Sequence, residues 1–205
     1  MYFVPTDPSF EAVDDDIAWI KSDLAAVVRT AIQQFLADTK LTRRHWRHGT
    51  EPSMISDLMV AEARRRFANE PRAVFKDVQS MDVLVVDLKY AIRFKRFGPD
   101  RKTAPNDTTQ SSLFDSQQLT IPNLPNPLTF LNVGYCVSDR VELANSEIVL
   151  TRPSAGGTLA WWMDLGDGGA QELPLRADKP SPIMPRQPKL RTVKLRVATS
   201  TDTGE

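Results

Sequence analysis

The sequence predicts an α+β domain, with two N-terminal helices packed on a mainly antiparallel β-sheet. Three observations carry that expectation. Residues 14–39 hold one apolar stripe at helical spacing, and residues 73–97 hold two apolar runs of strand length. The last third of the chain is cut into short apolar runs by Pro and Gly. The chain has 205 residues, a length that suits one such domain. We divide it into an extended N-terminal segment over 1–13, a single α+β domain over 14–197 and a disordered tail over 198–205.

In the first helix Ile17, Ile20, Leu24, Val27 or Val28, Ala31 and Phe35 recur at steps of three and four residues, with Trp19 flanking the stripe. Asp14, Asp15 and Asp16 are expected to cap it and to place negative charge in its first turn, where the helix dipole favours it. A basic segment follows, Thr42 to Gly49, which contains both histidines, three arginines and Trp46. The second helix is expected over 53–68, with Ile55, Leu58, Met59 and Phe67 on one side. Pro52 suits its first turn and Arg64, Arg65 and Arg66 its last; Asn69 and Pro71 stop it.

Residues 73–97 read as a hairpin region in which Val83 to Val86 pairs with Tyr90 to Phe94. Period-two alternation then puts Arg93 and Lys95 on one face and Phe94 on the other, toward the core. Gly98 to Thr109 reads as an exposed loop and Gln110 to Gln118 as a short helix. Leu128 to Val137 is a strand, and Glu147 to Arg152 with Thr158 to Leu165 a second hairpin. Trp161 and Trp162 must face opposite sides of that strand, which predicts that at least one lies near the surface. Lys189 to Val197 is expected as a charged edge strand.

Net charge is zero, but it is laid out in blocks. Residues 1–39 carry 2 basic and 7 acidic side chains, net −5, and residues 40–102 carry 15 and 8, net +7. Residues 103–185 carry 4 and 9, net −5, and residues 186–205 carry 5 and 2, net +3. Such blocks either present a basic face to an anionic partner or interleave in space and cancel. No apolar run is long enough to span a bilayer. The acidic, proline-broken N-terminus is not a signal peptide, and the lone Cys136 fits a reducing compartment. A cytoplasmic protein without a membrane partner is expected. Cys136, inside an apolar run, is a small buried hydrophobe rather than a nucleophile. His45 and His48 have no Cys, Asp or Glu nearby to complete a metal set. No phosphate-binding glycine loop and no recognised DNA- or RNA-binding motif is present.

Two constellations offer function. Arg43, Arg44 and Arg47, with Lys89, Arg93, Lys95 and Arg96, supply cations that could neutralise phosphates, with Trp46 and Phe94 beside them. Glu62 on a helix, Asp77 after a β-like run and Asp87-Leu88-Lys89 after Val83 to Val86 supply carboxylates and a lysine in another order. Over about thirty residues this second set resembles the PD-(D/E)xK nucleases. The resemblance implies a Mg2+ or Mn2+ ion held by the carboxylates and a water activated beside the lysine. The chain departs from that pattern. No proline precedes Asp77, the gap to Asp87 is short, and Asp87-Leu88-Lys89 reads equally as a solvated hairpin turn. In a second register, Asp82 with Arg93-Phe94-Lys95, an arginine stands where a metal-binding carboxylate is needed.

A broader resemblance rests on Val83 to Asp87, Tyr90 to Arg96, Thr109-Gln110, Phe114, Gln117, Leu124-Pro125 and Gly134-Tyr135. Over roughly residues 50–165 the chain looks like a family of uncharacterised bacterial and prophage proteins. These are encoded beside Xre-type repressors and irradiation-response-type metallopeptidases. The resemblance implies a role in a stress, phage-defence or toxin–antitoxin module and supplies no catalytic residues. The first expectation is therefore a non-enzymatic accessory or regulatory protein without a cofactor. It would touch nucleic acid, or an acidic protein partner from the same operon, through a basic hairpin face. The alternative is a metal-dependent nuclease using Glu62, Asp77, Asp87 and Lys89.

Overall fold

A computed structural model describes residues 8–39, 50–78, 81–103, 108–124, 127–137, 142–154 and 158–166. The expected edge strand over 189–197, the basic segment with Arg43, Arg44 and Arg47, and the tail lie outside these residues. The chain folds as an α+β structure. A short helix α1 (Phe10–Asp16) leads into α2 (Lys21–Thr39) and α3 (Thr50–Arg66). A six-stranded sheet follows, built from β1 (Ala73–Asp77), β2 (Asp82–Val86), β3 (Tyr90–Phe97), β4 (Thr129–Cys136), β5 (Ile148–Ser154) and β6 (Thr158–Asp164). Helix α4 (Thr109–Asp115) lies between β3 and β4 in the chain. No helix among the described residues is long and apolar enough to cross a membrane.

The predicted helix over 14–39 is two helices. Ser9 caps α1, its hydroxyl accepting from the Ala12 amide at 3.3 Å. A turn at Ile17–Ile20 separates α1 from α2. Asp14 to Asp16 therefore occupy the last turn of α1, where the dipole disfavours negative charge. Tertiary partners offset that cost. Lys21 pairs with Asp14, while Asp16 accepts from Lys89 at 3.0 Å and from the Tyr90 hydroxyl at 2.7 Å. Ile17, Ile20, Leu24, Val27, Val28, Ala31 and Phe35 are all buried, so the stripe itself is the one read from the sequence. Burying each such side chain is worth about 1.5–3 kcal/mol.

The strands lie in chain order, β1 to β6. All neighbours are antiparallel except β3 and β4, which run parallel in the register Tyr90↔Thr129 through Phe97↔Cys136. A parallel pair cannot be closed by a tight turn, and the connection carrying α4 supplies the crossover. One sheet face packs on α1, α2 and α3 through Leu84, Val86, Ile92, Phe94, Leu131, Val133, Tyr135, Leu150 and Trp161. The other face holds a smaller core in which Val83, Val85, Ala91 and Phe130 meet Phe114 of α4 and the Leu119–Ile121 stretch. At its far end Phe97, Cys136, Val149 and Trp162 form a third cluster. Both tryptophans of β6 are buried, Trp161 at 4 % and Trp162 at 6 % exposure, against the expectation that one would be near solvent. The sheet is covered on both faces there: Phe10 meets Trp161 edge-on, and the Arg101 guanidinium lies 3.7 Å over the Trp162 ring.

Candidate functional site

The turn between β2 and β3 settles what Asp87-Leu88-Lys89 does locally. Asp87 and Leu88 have φ of 52° and 56°, and the Lys89 amide donates to the Val86 carbonyl at 3.0 Å. Two successive left-handed residues form a tight turn inside the three-residue loop between Val86 and Tyr90, the hand of turn that matches strand twist. Asp87 accepts two bonds from Arg72, at 2.6 and 2.8 Å, and one from the Trp19 indole at 3.3 Å. The Arg72 guanidinium holds the Asp87 carboxyl below the usual carboxylate range. Lys89 is bonded to Asp16.

The four residues of the nuclease reading are not brought together. Asp77 pairs with Asp82 at one end of β2, and Asp87 follows the other end, where Val86 pairs with Ala73. Five strand residues separate the two ends, about 16 Å, whereas a hard cation holds its oxygens at about 2.0–2.6 Å. Glu62 lies on α3, where Arg65 grips it with bonds of 2.7 and 2.8 Å and Arg66 adds a third at 3.4 Å. The second register fares no better. Asp82 bonds to Arg64 of α3, whereas the β2 residues on the Arg93 and Lys95 face are Val83 and Val85. No cluster of three or more metal-ligating side chains occurs among the described residues.

The cations of β3 divide between the two faces. Arg96 is exposed and alternates with Lys95, so it leaves on the helical side with Phe94. Arg93 and Lys95 share the opposite face, the one covered by α4. Arg93 is 8 % exposed. Its guanidinium sits 4.8 Å over the Phe114 ring and donates to the Ser111 hydroxyl at 3.4 Å. Burial pulls its proton affinity down. Lys95 is half-buried beside it. Burial, with the Arg93 charge adding to it, pulls the Lys95 ammonium down to about 8. Among the described residues Lys95 has no hydrogen bond and no ion pair.

Parallel pairing places Asn132 of β4 next to Arg93, and Thr151 of β5 next to Asn132. Asn132 is 2 % exposed. Its amide bonds to Asp115, the last residue of α4, and its Oδ1 is buried without a partner. Burial raises the Asp115 carboxyl, with Arg93, Asn132 and Lys95 pulling the other way, and no ion pair within 4.0 Å joins it to either cation. The place where β3, β4 and the end of α4 meet therefore brings together two cations, one half-buried carboxyl that resists ionisation, and a buried acceptor without a partner.

Gln117, just past α4, fixes that helix to the sheet. Pro153 interrupts β5 at a register shift and has no amide to donate. The Gln117 side chain fills the gap. It donates to the Phe130 carbonyl at 2.9 Å and to the Pro153 carbonyl at 3.1 Å, and accepts from the Phe130 amide at 2.8 Å.

Elsewhere among the described residues, oppositely charged blocks of the sequence meet. Asp16 and Asp23 of the acidic first block pair with Lys89 and Arg66 of the basic second, and Arg101 of the second pairs with Glu147 of the acidic third. The alternation of β3 revealed that Arg93 and Lys95 share a face. It did not show that α4 covers them, nor that Asn132 and Asp115 complete the cluster, because those residues come from segments 18 to 39 positions away in the chain. Compared with family models, curated proteins and solved structures, the chain matches none.

Proposed function

We propose that this chain is a non-enzymatic accessory protein of a bacterial phage-defence or toxin–antitoxin module, and that it contacts nucleic acid through the Arg93–Lys95 face of β3. One observation carries the reading. Arg93 and Lys95 are side by side on one sheet face and partly desolvated, and the Asp115 carboxyl that acts on both makes no ion pair within 4.0 Å with either. A desolvated cation without a close ion-pair partner is costly, and an anionic partner relieves that cost. Nucleic acid is favoured over an acidic protein because the face offers two cations close together, which suits a phosphate group better than an extended acidic surface. The membership of a defence module is supported by the resemblance carried by Val83 to Asp87, Tyr90 to Arg96 and Gln117.

The test is binding of labelled single-stranded and duplex oligonucleotides by fluorescence anisotropy over a range of salt concentrations. Affinity is expected to fall with salt at a shallow slope, because the face neutralises about one or two phosphates. Lys95→Glu is expected to weaken binding by about tenfold or more. An affinity that ignores salt and survives Lys95→Glu refutes the reading. The same preparation incubated with plasmid and Mg2+ or Mn2+ is expected to leave the plasmid intact; cutting that Asp87→Ala abolishes would revive the nuclease alternative.

A further inference from the structure

Strands β1 and β6 are the two edges of the sheet. β6 exposes Thr158 alone, whereas β1 exposes Val74 and Asp77. Val74, 43 % exposed, is not a scattered surface residue. It is the outer end of a row of side chains that crosses the sheet from Phe130 through Ala91 and Val85, all three buried. The apolar layer on that face therefore runs out to the edge and stops there, uncovered among the described residues. The β1 backbone is open at the same place. Val78 and Met81 exchange both amide–carbonyl bonds, at 2.9 and 3.1 Å, and the Asp87 amide donates to the Arg72 carbonyl at 2.8 Å. Antiparallel pairs alternate between bonded and non-bonded. Arg72, Val74, Lys76 and Val78 therefore direct their amides and carbonyls toward β2, while Ala73, Phe75 and Asp77 direct theirs outward. The Ala73 amide is taken by the Glu70 carbonyl at 3.1 Å. Phe75 offers both groups, and no other backbone bond engages it among the described residues.

We infer that β1 is an interface between two copies of this chain, paired antiparallel about a two-fold axis at Phe75 so that two six-stranded sheets become one continuous sheet. The inference is independent of the proposed function. In this register each Phe75 amide donates to the partner's Phe75 carbonyl, Val74 faces the partner's Lys76, and Ala73 faces the partner's Asp77. The other registers fail. An axis at Ala73 or Val74 calls on the Ala73 amide, which is already bonded. An axis at Lys76 or Asp77 sets like charges face to face, which is destabilising. Lysine in an edge strand ordinarily opposes pairing. About Phe75, however, each Lys76 meets Val74 instead of the other lysine, and its methylene stem covers the apolar surface that Val74 leaves open. On the helical face the two Phe75 rings form an aromatic cross-strand pair. The Arg64 guanidinium, 4.6 Å over the Phe75 ring, is bonded to Asp82, so closing the pair brings no uncompensated charge to the axis. The same patch serves both copies, so the contact closes at a dimer.

The experiment follows the mass of the full chain by sedimentation equilibrium as its concentration rises. The native protein is expected to pass from monomer to dimer. Val74→Lys sets lysine against the partner's Lys76 and is expected to weaken the dimer by about fivefold or more, since the two-fold axis counts each pair twice. Val74→Glu places the opposite charge there and is expected to strengthen the dimer by a similar factor. Val74 is exposed, so both variants should keep the native circular dichroism and melting temperature. Disulfide trapping reads the register. A Val74→Cys chain mixed with a Lys76→Cys chain is expected to give a cross-linked dimer, because facing residues of a non-bonded pair stand about 4.5 Å apart at Cα. Either chain alone should not, since its two cysteines lie two positions out of register. The native Cys136 is buried and gives no background. A chain that stays monomeric up to its solubility limit overturns the inference. So does a dimer that ignores both charges at Val74, or one that fails to cross-link in the mixture, because either result puts the contact elsewhere.

Discussion

Gln117 sits at φ 61°, in the left-handed region, and its amide stands in for a missing strand neighbour of Phe130. Replacing it with Ala removes three hydrogen bonds and leaves the Phe130 amide and two carbonyls to find water. The expected loss is about 2–4 kcal/mol in chemical denaturation. Gln117→Glu should cost at least as much, because a carboxylate cannot donate to the Phe130 and Pro153 carbonyls. Lys95 gives a second prediction at this scale. Its folded-state proton affinity lies near 8, against an ordinary value of 10.5. The unfolded chain therefore holds a proton that the folded chain has released between these values, and stability rises with pH through that window. Cys136, which burial pushes up to about 12, acts oppositely once the unfolded thiol ionises near 9, and buried Tyr90 and Tyr135 add to that opposing trend higher still. The difference between the native protein and Lys95→Met isolates the lysine. Melting temperatures measured from pH 7 to pH 10 should show the native protein gaining on Lys95→Met as pH rises. Parallel curves would show that Lys95 is solvated.

At the scale of elements, the sequence was legible wherever local pattern and tertiary packing agree. The stripe from Ile17 to Phe35, the second helix, the pairing of Val86 with Tyr90 and the arms on either side of Gly156-Gly157 all belong to that class. It was illegible where partners far along the chain decide. Asp14, Asp15 and Asp16 satisfy the chemistry of a helix start. They end a helix instead because Lys21, Lys89 and Tyr90 are in place to receive two of them. The direction of β4 is another case. An apolar run does not say whether its neighbour is parallel, and that follows only from where α4 packs. The close approach of β3 and β4 gives the prediction at this scale. A methyl group at Gly134 would stand 1.6 Å from the Lys95 carbonyl oxygen, so the two strands cannot keep their spacing with any other residue there. Gly134→Ala is expected to cost more than about 4 kcal/mol, read as loss of the cooperative unfolding transition or of soluble expression. A mild effect would mean the strands lie further apart than described.

At the scale of the whole molecule, among the described residues, the acidic and basic blocks of the sequence meet at Asp16–Lys89, Asp23–Arg66 and Arg101–Glu147. The Arg93–Lys95 group, with Asn132 and Asp115, draws its members from three separate segments. Arg93 and Lys95 could be paired from the alternation of one strand. Their nearness to Asn132 and Asp115 depends on how the sheet closes.

That closure has a developmental consequence. Strands β1 to β3 and strands β4 to β6 are each a meander of near neighbours, and within the sheet the parallel seam between β3 and β4 joins them. Loop-closure entropy makes such a junction slower to form than the hairpins on either side. The Arg93–Lys95 group straddles it, with Arg93 contributed by one half and Asn132 by the other. A nascent or fragmentary chain would carry the cations without the residues that flank them, and capture of the proposed nucleic-acid partner would mark the moment the two halves have docked.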